Sequence, residues 1–350
     1  MSKLVFAYPG DLETPTGGYG YDRRVIAGLR GLGWQVDLMS LGTGFPNPSP
    51  ETLGAAQRML EALPAGSLVV VDGLAFGVMA EASEAVAAQL KLVALVHHPL
   101  CRENGLDPAQ AQALLESERL ALQYSWHVIV TSPATAEQVS ELFNVPQDKL
   151  TVILPGTERP DPVDRTPAET LTLLSVGTVV PRKGYDLLLE ALAGLSDLKW
   201  RLDIVGGLDS DPDCHRALVS QSHRLGLDSR ITFHGALPSD QLTAFYQNAD
   251  LFALASRYEG YGMAYTEALA HGLPVIGSGA GAVKDTLPDE AAIYCGTEDV
   301  ARLRNALQLL ISDSRTRSKM TEAAKKAALS FPSWQDAAER FACVLKEVQE

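Results

Sequence analysis

Residues 251–277, LFALASRYEGYGMAYTEALAHGLPVIG, contain an apolar run, a glycine-bearing loop, a short helix-forming stretch and a second apolar run. The two apolar runs, Leu251–Leu254 and Pro274–Gly277, are typical of strands buried in a parallel sheet. Two glycines, Gly260 and Gly262, precede the helical stretch. A strand, a loop, a helix and a second strand in this order predict a βαβ unit.

The same alternation extends in both directions and predicts an α/β protein. It is interrupted at residues 157–169, TERPDPVDRTPAE, where three prolines and four acidic residues indicate an exposed linker. We therefore expect two doubly wound Rossmann-like domains, residues 1–158 and 170–332, facing a cleft. The predicted strands are Leu4–Tyr8, Gln35–Ser40, Leu68–Asp72, Leu92–Val96, His127–Thr131, Thr151–Leu154, Leu171–Val176, Trp200–Val205, Ile231–His234, Leu251–Leu254, Pro274–Gly277 and Ala292–Cys295.

Composition restricts the partners. The 350 residues carry a net charge of −14, with 11 Lys+Arg against 19 Asp+Glu in residues 1–165. This acidity argues against a nucleic-acid surface and against binding to anionic lipid, so membrane association is not expected. The start, MSKLVFAYPG, is too short for a signal peptide, and no apolar run reaches about 18 residues. Four scattered cysteines predict reduced, mostly buried thiols in a cytoplasmic protein.

The stretch Ser256–Ala270 predicts an anion site. A glycine-bearing loop that leads from a strand into a helix aims backbone N–H groups and the positive end of the helix at an anion. Glu259 in the loop and Glu267 in the helix could bind hydroxyl groups on either side of a phosphate. The alternative is a helix-capping loop with a buried glutamate held by backbone amides.

A second loop, Val176–Gly184, follows the strand Leu171–Val176 and carries Arg182 and Lys183. Neighbouring arginine and lysine at the carboxyl end of a strand can neutralise a diphosphate. Such a pair is often merely solvated, but it lies in the same domain as the predicted anion loop. His234 ends another strand beside this presumed nucleotide site.

The first domain offers weaker signals. Gly17 and Gly18 stand at the start of a helix and suit close approach to a phosphate or sugar, although their spacing differs from the dinucleotide fingerprint GxGxxG. His97 and His98 follow a strand and suit acid–base or hydrogen-bonding work, one of the two facing the cleft. Metal-ligand spacing is lacking there, and no metal is expected. Two acidic residues that also follow strands are candidates for contacting a second substrate: Asp72 and Glu103.

Three stretches resemble the retaining family-4 glycosyltransferases of GT-B fold. VGTVVPRKGYDLLLEAL (176–192) is similar to their diphosphate-contacting segment, and ITFHGALPSDQLTAFYQNADLFALAS (231–256) is similar to their nucleotide-flanking segment. EGYGMAYTEALAHGLPVIGS (259–278) resembles their Glu-x7-Glu signature. The likeness covers nearly the whole chain and implies transfer of a hexose from a nucleoside diphosphate sugar, foremost a UDP-sugar, without a further cofactor.

The resemblance also implies roles for individual residues. Glu259 would hold hydroxyls of the donor sugar, Glu267 the ribose, and His97 or His98 would lie near the anomeric carbon. The terminal helix, 334–350, would pack back on the first domain. The groups that would contact the diphosphate or the sugar are Arg182, Lys183, Gly17, Gly18, and the backbone N–H groups of Gly262, Met263 and Ala264.

The mechanism implied is a retaining, metal-independent transfer in which the leaving phosphate takes the proton of the acceptor. The acidic first domain favours a soluble small-molecule or saccharide acceptor over a lipid. Alternatives are a lipid-acceptor glycosyltransferase, a sugar-nucleotide epimerase of the same fold, and a non-catalytic sugar-nucleotide-binding protein. A dehydrogenase is disfavoured, because the dinucleotide loop is missing.

Overall fold

The computed structural model describes residues 2–103, 105–161 and 169–350. These residues form two compact units. Residues 2–156 and Pro332–Glu350 make up what we call the N-terminal unit, and Thr157–Phe331 make up the C-terminal unit. Most of the linker predicted at 157–169 lies outside the described residues.

The N-terminal unit contains a six-stranded parallel sheet in the order β2-β1-β3-β4-β5-β6. Its strands are β1 (Lys3–Tyr8), β2 (Gln35–Ser40), β3 (Leu68–Asp72), β4 (Lys91–Val96), β5 (His127–Val130) and β6 (Leu150–Val152). Its helices up to residue 156 are α1 (Gly17–Gly31), α2 (Pro50–Glu61), α3 (Gly73–Phe76), α4 (Ala80–Val86), α5 (Pro108–Leu122) and α6 (Pro133–Phe143).

The C-terminal unit contains a second six-stranded parallel sheet, in the order β9-β8-β7-β10-β12-β14, and a small parallel pair, β11 with β13. The strands are β7 (Leu171–Val176), β8 (Trp200–Val205), β9 (Ile231–Phe233), β10 (Leu251–Leu254), β11 (Tyr258–Glu259), β12 (Val275–Gly277), β13 (Ala280–Gly281) and β14 (Ala292–Tyr294). The helices are α7 (Tyr185–Ala193), α8 (Pro212–Arg224), α9 (Ser239–Asn248), α10 (Met263–Ala270), α11 (Val283–Thr286), α12 (Val300–Ser312) and α13 (Ser314–Ala328).

The predicted class, α/β with two doubly wound parallel sheets, is confirmed. All twelve predicted strands occur, with ends within two residues of the expected ones. The central strands are buried on both faces, as in Leu68–Asp72, where all five residues are buried, and this explains their nearly continuous apolar sequences. The pair β11–β13 was not predicted, because two-residue strands leave no periodic signal.

The last helix, α14 (Trp334–Gln349), packs against α1 within the N-terminal unit. Ser333 caps its first turn, and Asp336 accepts a hydrogen bond from the Ser333 backbone N–H at 2.8 Å. Gly28 allows the two helices to touch, since a β-carbon there would lie 2.4 Å from that of Ala338. Phe341 is fully buried between the helix and the sheet.

The order of the strands locates the place where a ligand can bind in each sheet. Ligands of open α/β sheets bind at the carboxyl ends of the strands, where the direction of strand succession reverses. That point lies between β1 and β3 in the N-terminal unit and between β7 and β10 in the C-terminal unit. The loops and helix starts that follow β1, β7 and β10 contain Gly17, Gly18, Arg182, Lys183 and the segment from Glu259 to Glu267, whereas His97, His98 and Glu103 follow β4 and His234 follows β9.

The structure also bears on two expectations drawn from composition, the lack of a membrane span and the burial of the cysteines. Among the described helices, none combines the length and the apolar character that a membrane span requires. All four cysteines are free thiols, but the prediction that they are mostly buried is wrong. Only Cys295 is buried, while Cys343 is exposed because it lies on the outer face of α14.

Candidate functional site

The loop after β7 places Arg182 and Lys183 against the loop after β10. Residues Pro181–Lys183 form a single 3₁₀ turn that ends at Gly184 in the left-handed conformation, with φ at +61°. A β-carbon at Gly184 would lie only 1.9 Å from the carbonyl oxygen of Ala255. Glycine is therefore required both by the backbone angle and by the close approach of the second loop.

Glu259 lies at the centre of this contact. Its Oε1 accepts a hydrogen bond from Lys183 Nζ at 2.6 Å and from Ser256 Oγ at 2.5 Å. Its Oε2 lies 3.4 Å from a guanidinium nitrogen of Arg182, and the same nitrogen donates to the Tyr258 carbonyl at 2.9 Å. The structure thus brings together three predicted site residues that are up to 77 positions apart in the chain.

The two cations decide the ionisation of Glu259. Burial acts to raise the pKa of this carboxyl, but the charges of Lys183 and Arg182 outweigh burial and hold the pKa at about 2. The three groups together carry one net positive charge. The cluster is therefore cationic although the chain as a whole is strongly acidic.

Arg257, in the loop after β10, binds both the loop after β7 and the helix α7 that follows it. Its guanidinium forms a two-pronged ion pair with Asp186 on α7, with N–O distances of 2.9 and 2.7 Å, and a third bond to Glu298 at 2.7 Å. Its backbone N–H donates to the carbonyl of Arg182 at 2.8 Å. Arg257 lies within the predicted stretch Ser256–Ala270 but was not among the predicted site residues, because a single arginine in a loop has no distinctive pattern.

The N-terminus of α10 adjoins the cluster. Gly262 precedes the helix with φ at +93°, and its N-cap position makes no side-chain capping bond. The first N–H groups of a helix have no partner within the helix, which makes Met263 and Ala264 suitable donors to an anion. Glu259, three residues before Gly262, accepts hydrogen bonds from the side chains of Lys183 in the other loop and Ser256 in its own loop. The capping-loop alternative would instead require backbone amides as the donors to this carboxylate.

Glu267 lies in the second turn of α10 and faces α9. Its carboxylate accepts a hydrogen bond from the Tyr246 hydroxyl at 2.8 Å. The Tyr246 ring stacks on His271, with 4.8 Å between ring centroids. The carboxylate is half-buried and oriented by this bond, and its contact with the ribose stays a prediction.

His234 is held by an acid. Its Nε2 lies 2.7 Å from Asp203 Oδ1, and its ring packs edge-on against Phe245 at 4.6 Å. Its contact with the donor stays a prediction.

The stretch 209–213, DSDPD, contains two Asp-x-Asp spacings. In the structure Asp211 caps α8, and Asp213 pairs with Arg216.

A second cluster surrounds His97, directly after β4. Its Nε2 lies 3.2 Å from Asp22 Oδ1 and 3.5 Å from Asp72 Oδ2. Both aspartates are buried, with relative exposures of 0% and 2%. Asp72 Oδ1 also accepts the N–H of Leu74 at the start of α3. Asp72, which was predicted to contact the acceptor, therefore contacts His97 with one oxygen and caps a helix with the other.

Asp22 was not predicted as a site residue, although its position in the sequence indicates that it is buried. It precedes Val25 and Ile26 by three and four residues, so that it stands on the apolar stripe of α1. An acid on such a stripe is buried, and buried acids require a partner. The partner, His97, is 75 positions away and is identified only by the fold.

The remaining predicted residues of the N-terminal unit are His98, Glu103, Gly17 and Gly18. His98 Nε2 lies 3.0 Å from Glu103 Oε2, so these two candidates contact each other. Gly17 and Gly18 begin α1. A β-carbon at Gly18 would lie 3.3 Å from the His97 ring.

One set of three described residues has ligand atoms close enough for a metal ion: Asp22, Asp72 and His97, within 4.8 Å of one another. Nε2 of the histidine is the ring atom that both acids contact. A proton on that nitrogen makes the set a hydrogen-bonded triad, and a metal ion would have to displace that proton. The expectation of no metal stays a prediction.

Two family models match the chain. "Glycosyl transferases group 1" matches residues 158–327, and "Glycosyl transferase 4-like domain" matches residues 14–156. Among solved structures, sucrose-phosphate synthase of Thermosynechococcus elongatus superposes with a TM-score of 0.84 at 20% identity, covering 99% of each chain. Anabaena HepE in complex with UDP and glucose gives a TM-score of 0.78 at 19% identity, covering 98% and 100%. These two likenesses show the fold.

Curated relatives of this chain are named as glycosyltransferases. A D-inositol 3-phosphate glycosyltransferase of Xylanimonas cellulosilytica is 26% identical over 277 residues, 72% of this chain and 66% of that protein. An MMP alpha-(1->4)-mannosyltransferase of Mycolicibacterium hassiacum is 25% identical over 331 residues, 89% of this chain and 79% of that protein. Across the first relatives the chain spans between 53% and 79% of their length. Matched by both family models along most of its length, the chain belongs to the family-4-like glycosyltransferases of GT-B fold.

Proposed function

We propose that this protein transfers a hexose from a nucleoside diphosphate sugar, foremost a UDP-sugar, to a hydroxyl of a soluble small-molecule or saccharide acceptor. The observation that carries the proposal is the cationic cluster of Arg182, Lys183 and Glu259 beside the N-terminus of α10. It lies at the point of the C-terminal sheet where Rossmann-like folds bind nucleotides.

The chemistry requires negative charge to be stabilised on the leaving group. The bond from the anomeric carbon to the diphosphate breaks, a bond from that carbon to the acceptor oxygen forms, and a nucleoside diphosphate leaves. Lys183 and Arg182 stabilise the charge that grows on the phosphate, and preorganised groups of this kind supply much of the catalysis in many enzymes. Glu259 fixes the position of Lys183 and offers a carboxylate to sugar hydroxyls.

We further propose that the transfer retains the anomeric configuration and requires no metal. The two cations supply the charge that a divalent metal supplies elsewhere. In the retaining route, the acceptor hydroxyl attacks from the face that the phosphate leaves, and its proton passes to a phosphate oxygen. The anomeric signal of the product in proton NMR tests retention, and turnover in excess chelator tests metal independence.

The direct test of the proposal is a panel of UDP-, GDP- and ADP-sugars with purified protein, with mass detection of the released nucleotide and then of the glycosylated acceptor in a metabolite extract. We expect UDP to be released only when the extract is present, because the extract supplies the acceptor. Conversion of the donor sugar without any acceptor would instead identify a sugar-nucleotide epimerase. Binding of every donor without turnover in any extract would contradict catalysis.

The acceptor class has separate support. The first 165 residues carry a net charge of −8, and α2, an amphipathic helix, has one arginine and two glutamates. Such a surface repels anionic lipid. The name of the Xylanimonas relative gives D-inositol 3-phosphate, a small polar molecule, as its substrate. Strong co-sedimentation with anionic vesicles would contradict the choice of a soluble acceptor.

The assignment of Glu267 to the ribose makes a specific prediction. Replacing Tyr246 by phenylalanine removes the hydroxyl that orients this carboxylate. One hydrogen bond contributes about 1 kcal/mol, so we expect donor KM to rise about fivefold with kcat nearly unchanged. Steady-state kinetics with varied donor measure both constants. Tyr124→Phe, which removes a hydroxyl in the other unit, is the control. An unchanged KM in Tyr246→Phe would show that Glu267 does not hold the nucleotide.

A further inference from the structure

We infer that Asp22 and Asp72 are positioning residues that hold His97 as an imidazolium, so that His97 acts as a cationic hydrogen-bond donor through Nδ1 and not as a general base. The inference rests on the proposed function for its catalytic meaning. It concerns a separate cluster, and its first test requires no activity.

The geometry of the contacts is the first argument. Both carboxylates approach the same ring nitrogen, Nε2, at 3.2 and 3.5 Å. A nitrogen lone pair facing two carboxylate oxygens would be repelled, whereas an N–H shared between them is attracted. Nε2 therefore carries a proton.

The other ring nitrogen, Nδ1, is available to a substrate. Among the described residues, no hydrogen bond is made by Nδ1 of His97, and the side chain is 20% exposed. A neutral ring with its proton on Nε2 would present only a lone pair at Nδ1. For Nδ1 to donate a hydrogen bond, the two acids must hold a second proton on the ring.

The charges around the ring favour that second proton. Asp22 and Asp72 are buried close together, and one cation between them relieves their repulsion. Asp22 Oδ2 is buried without a hydrogen-bond partner in the described part of the chain. Burial and then the charge of Asp72 raise the pKa of Asp22 to about 7, whereas the hydrogen bond and charge of His97 lower it, so His97 stabilises the charged form of Asp22. Burial by itself lowers the pKa of His97, but the hydrogen bonds and charges of both acids outweigh burial and raise the pKa to about 10.

The other titratable groups that face the ring do not oppose this. Tyr21 presents the edge of its ring at 5.4 Å, and burial raises the pKa of its hydroxyl so that it stays neutral. Tyr19 is also neutral, because burial and then the acids Asp72 and Asp22 raise its pKa to about 12. No described lysine or arginine forms an ion pair with either acid of the cluster.

The charge on His97 decides which chemical role it can have, proton acceptor or hydrogen-bond donor. An imidazolium cannot accept the acceptor's proton, so that proton must go elsewhere, and the leaving phosphate is available in the retaining route. The Nδ1–H can donate to a hydroxyl or a phosphate oxygen of the substrate. A charged donor of this kind is stronger than a neutral one.

The first test is NMR of protein labelled with ¹⁵N in its histidine rings, with His97→Gln to assign the signals. We expect wild-type His97 to stay doubly protonated from about pH 5 to 9, because its pKa is about 10. In Asp22→Asn the pKa should fall by more than about one unit, since a charge–charge interaction of about 1.4 kcal/mol is lost for each unit. Asp37→Asn, which changes an exposed acid on β2, is the matched control and should leave His97 unchanged.

Asp72→Asn serves as a second variant if Asp22→Asn does not fold, because asparagine can still cap α3 through its side-chain oxygen. A titration of wild-type His97 near 6.5, or an unchanged pKa in a folded variant, would overturn the inference. So would a metal ion that binds at stoichiometric concentration and shifts the His97 signals.

The second test uses turnover. Wild-type kcat should show no titration that arises from His97 below about pH 9, whereas kcat of Asp22→Asn should fall as pH rises through the lowered His97 pKa. A role of Asp22 in folding alone would leave the shape of the profile unchanged. If no donor is turned over, the proposed function fails while the NMR result still decides the state of His97. If the enzyme is active and His97 titrates near 6.5, only the present inference fails.

Discussion

Replacing Lys183 by alanine is expected to lower kcat by about 100-fold or more, the scale found when one preorganised electrostatic donor is removed from an active site. Lys183 is held in place by a 2.6 Å bond to Glu259, and its side chain is only 14% exposed. It needs little reorganisation as charge grows on the leaving phosphate. Arg182 remains in the variant but lies farther from Glu259 and also binds a carbonyl.

The measurement is the release of nucleoside diphosphate at saturating donor and acceptor. Lys199→Ala, which removes an exposed lysine paired with Glu169, is the control and should keep wild-type turnover. Donor affinity should fall less than kcat, because an electrostatic group of this kind acts mainly in the transition state. Near-normal kcat in Lys183→Ala would contradict the role of the cluster as the site of the leaving group.

The same variant leaves Glu259 buried with a weakened set of partners, which destabilises the fold. The double variant Lys183→Ala/Glu259→Gln separates the two effects. It should recover part of the lost unfolding free energy and none of the lost activity. Recovery of activity together with stability would show that Lys183 acts only through the fold.

Replacing Glu259 by glutamine is expected to lower the unfolding free energy by about 3 kcal/mol at pH 7. The carboxyl has a pKa of about 2 in the folded protein against 4.5 for an ordinary glutamate, and each pKa unit corresponds to about 1.4 kcal/mol. Because the folded pKa is the lower one, the stabilisation is fully present above about pH 4.5. It is lost as pH falls from about 4.5 through 2, because only below the folded pKa are the folded and unfolded chains both protonated at this residue.

Urea unfolding at pH 7, 5 and 3 measures this difference. The gap between the wild type and Glu259→Gln should be largest at pH 7 and 5 and should narrow at pH 3. Glu190→Gln, at an exposed site on α7, is the control and should show no gap. A gap that does not depend on pH would show that Glu259 stabilises the fold through hydrogen bonds that glutamine cannot make, rather than through its charge.

Glu259→Gln should also lower turnover by about 100-fold, because the carboxylate that positions Lys183 is removed. The loss should appear at neutral pH in protein that is still folded. Circular dichroism at the assay temperature confirms folding. Full turnover in a folded Glu259→Gln protein would contradict the role of Glu259 in the site.

Local signals in the sequence were sufficient to predict the α/β class and most of the strands and helices. Continuous apolar runs such as Leu251–Leu254 predicted buried strands, because a strand covered on both faces needs apolar residues throughout. The cap at Ser333 and the apolar face of the following helix predicted α14 for the same kind of reason. The loops Val176–Gly184 and Ser256–Ala270 were found because glycine, cations and acids stand directly after predicted strands.

Residues whose meaning depends on a distant partner could not be predicted. Asp72 ends a strand, a position typical of substrate contacts, yet it is buried against His97 and caps α3. Arg257 has no local pattern, and its role depends on Asp186, 71 positions away.

The sequence alone therefore determined the α/β class, the buried strands and the loops that contain the candidate site residues, because these follow from the order of apolar, glycine and charged residues along the chain. Only the tertiary structure decided which charges meet: Lys183 with Glu259 and His97 with Asp22. Burial and proximity set the ionisation of such groups, and both depend on contacts between segments far apart in the chain.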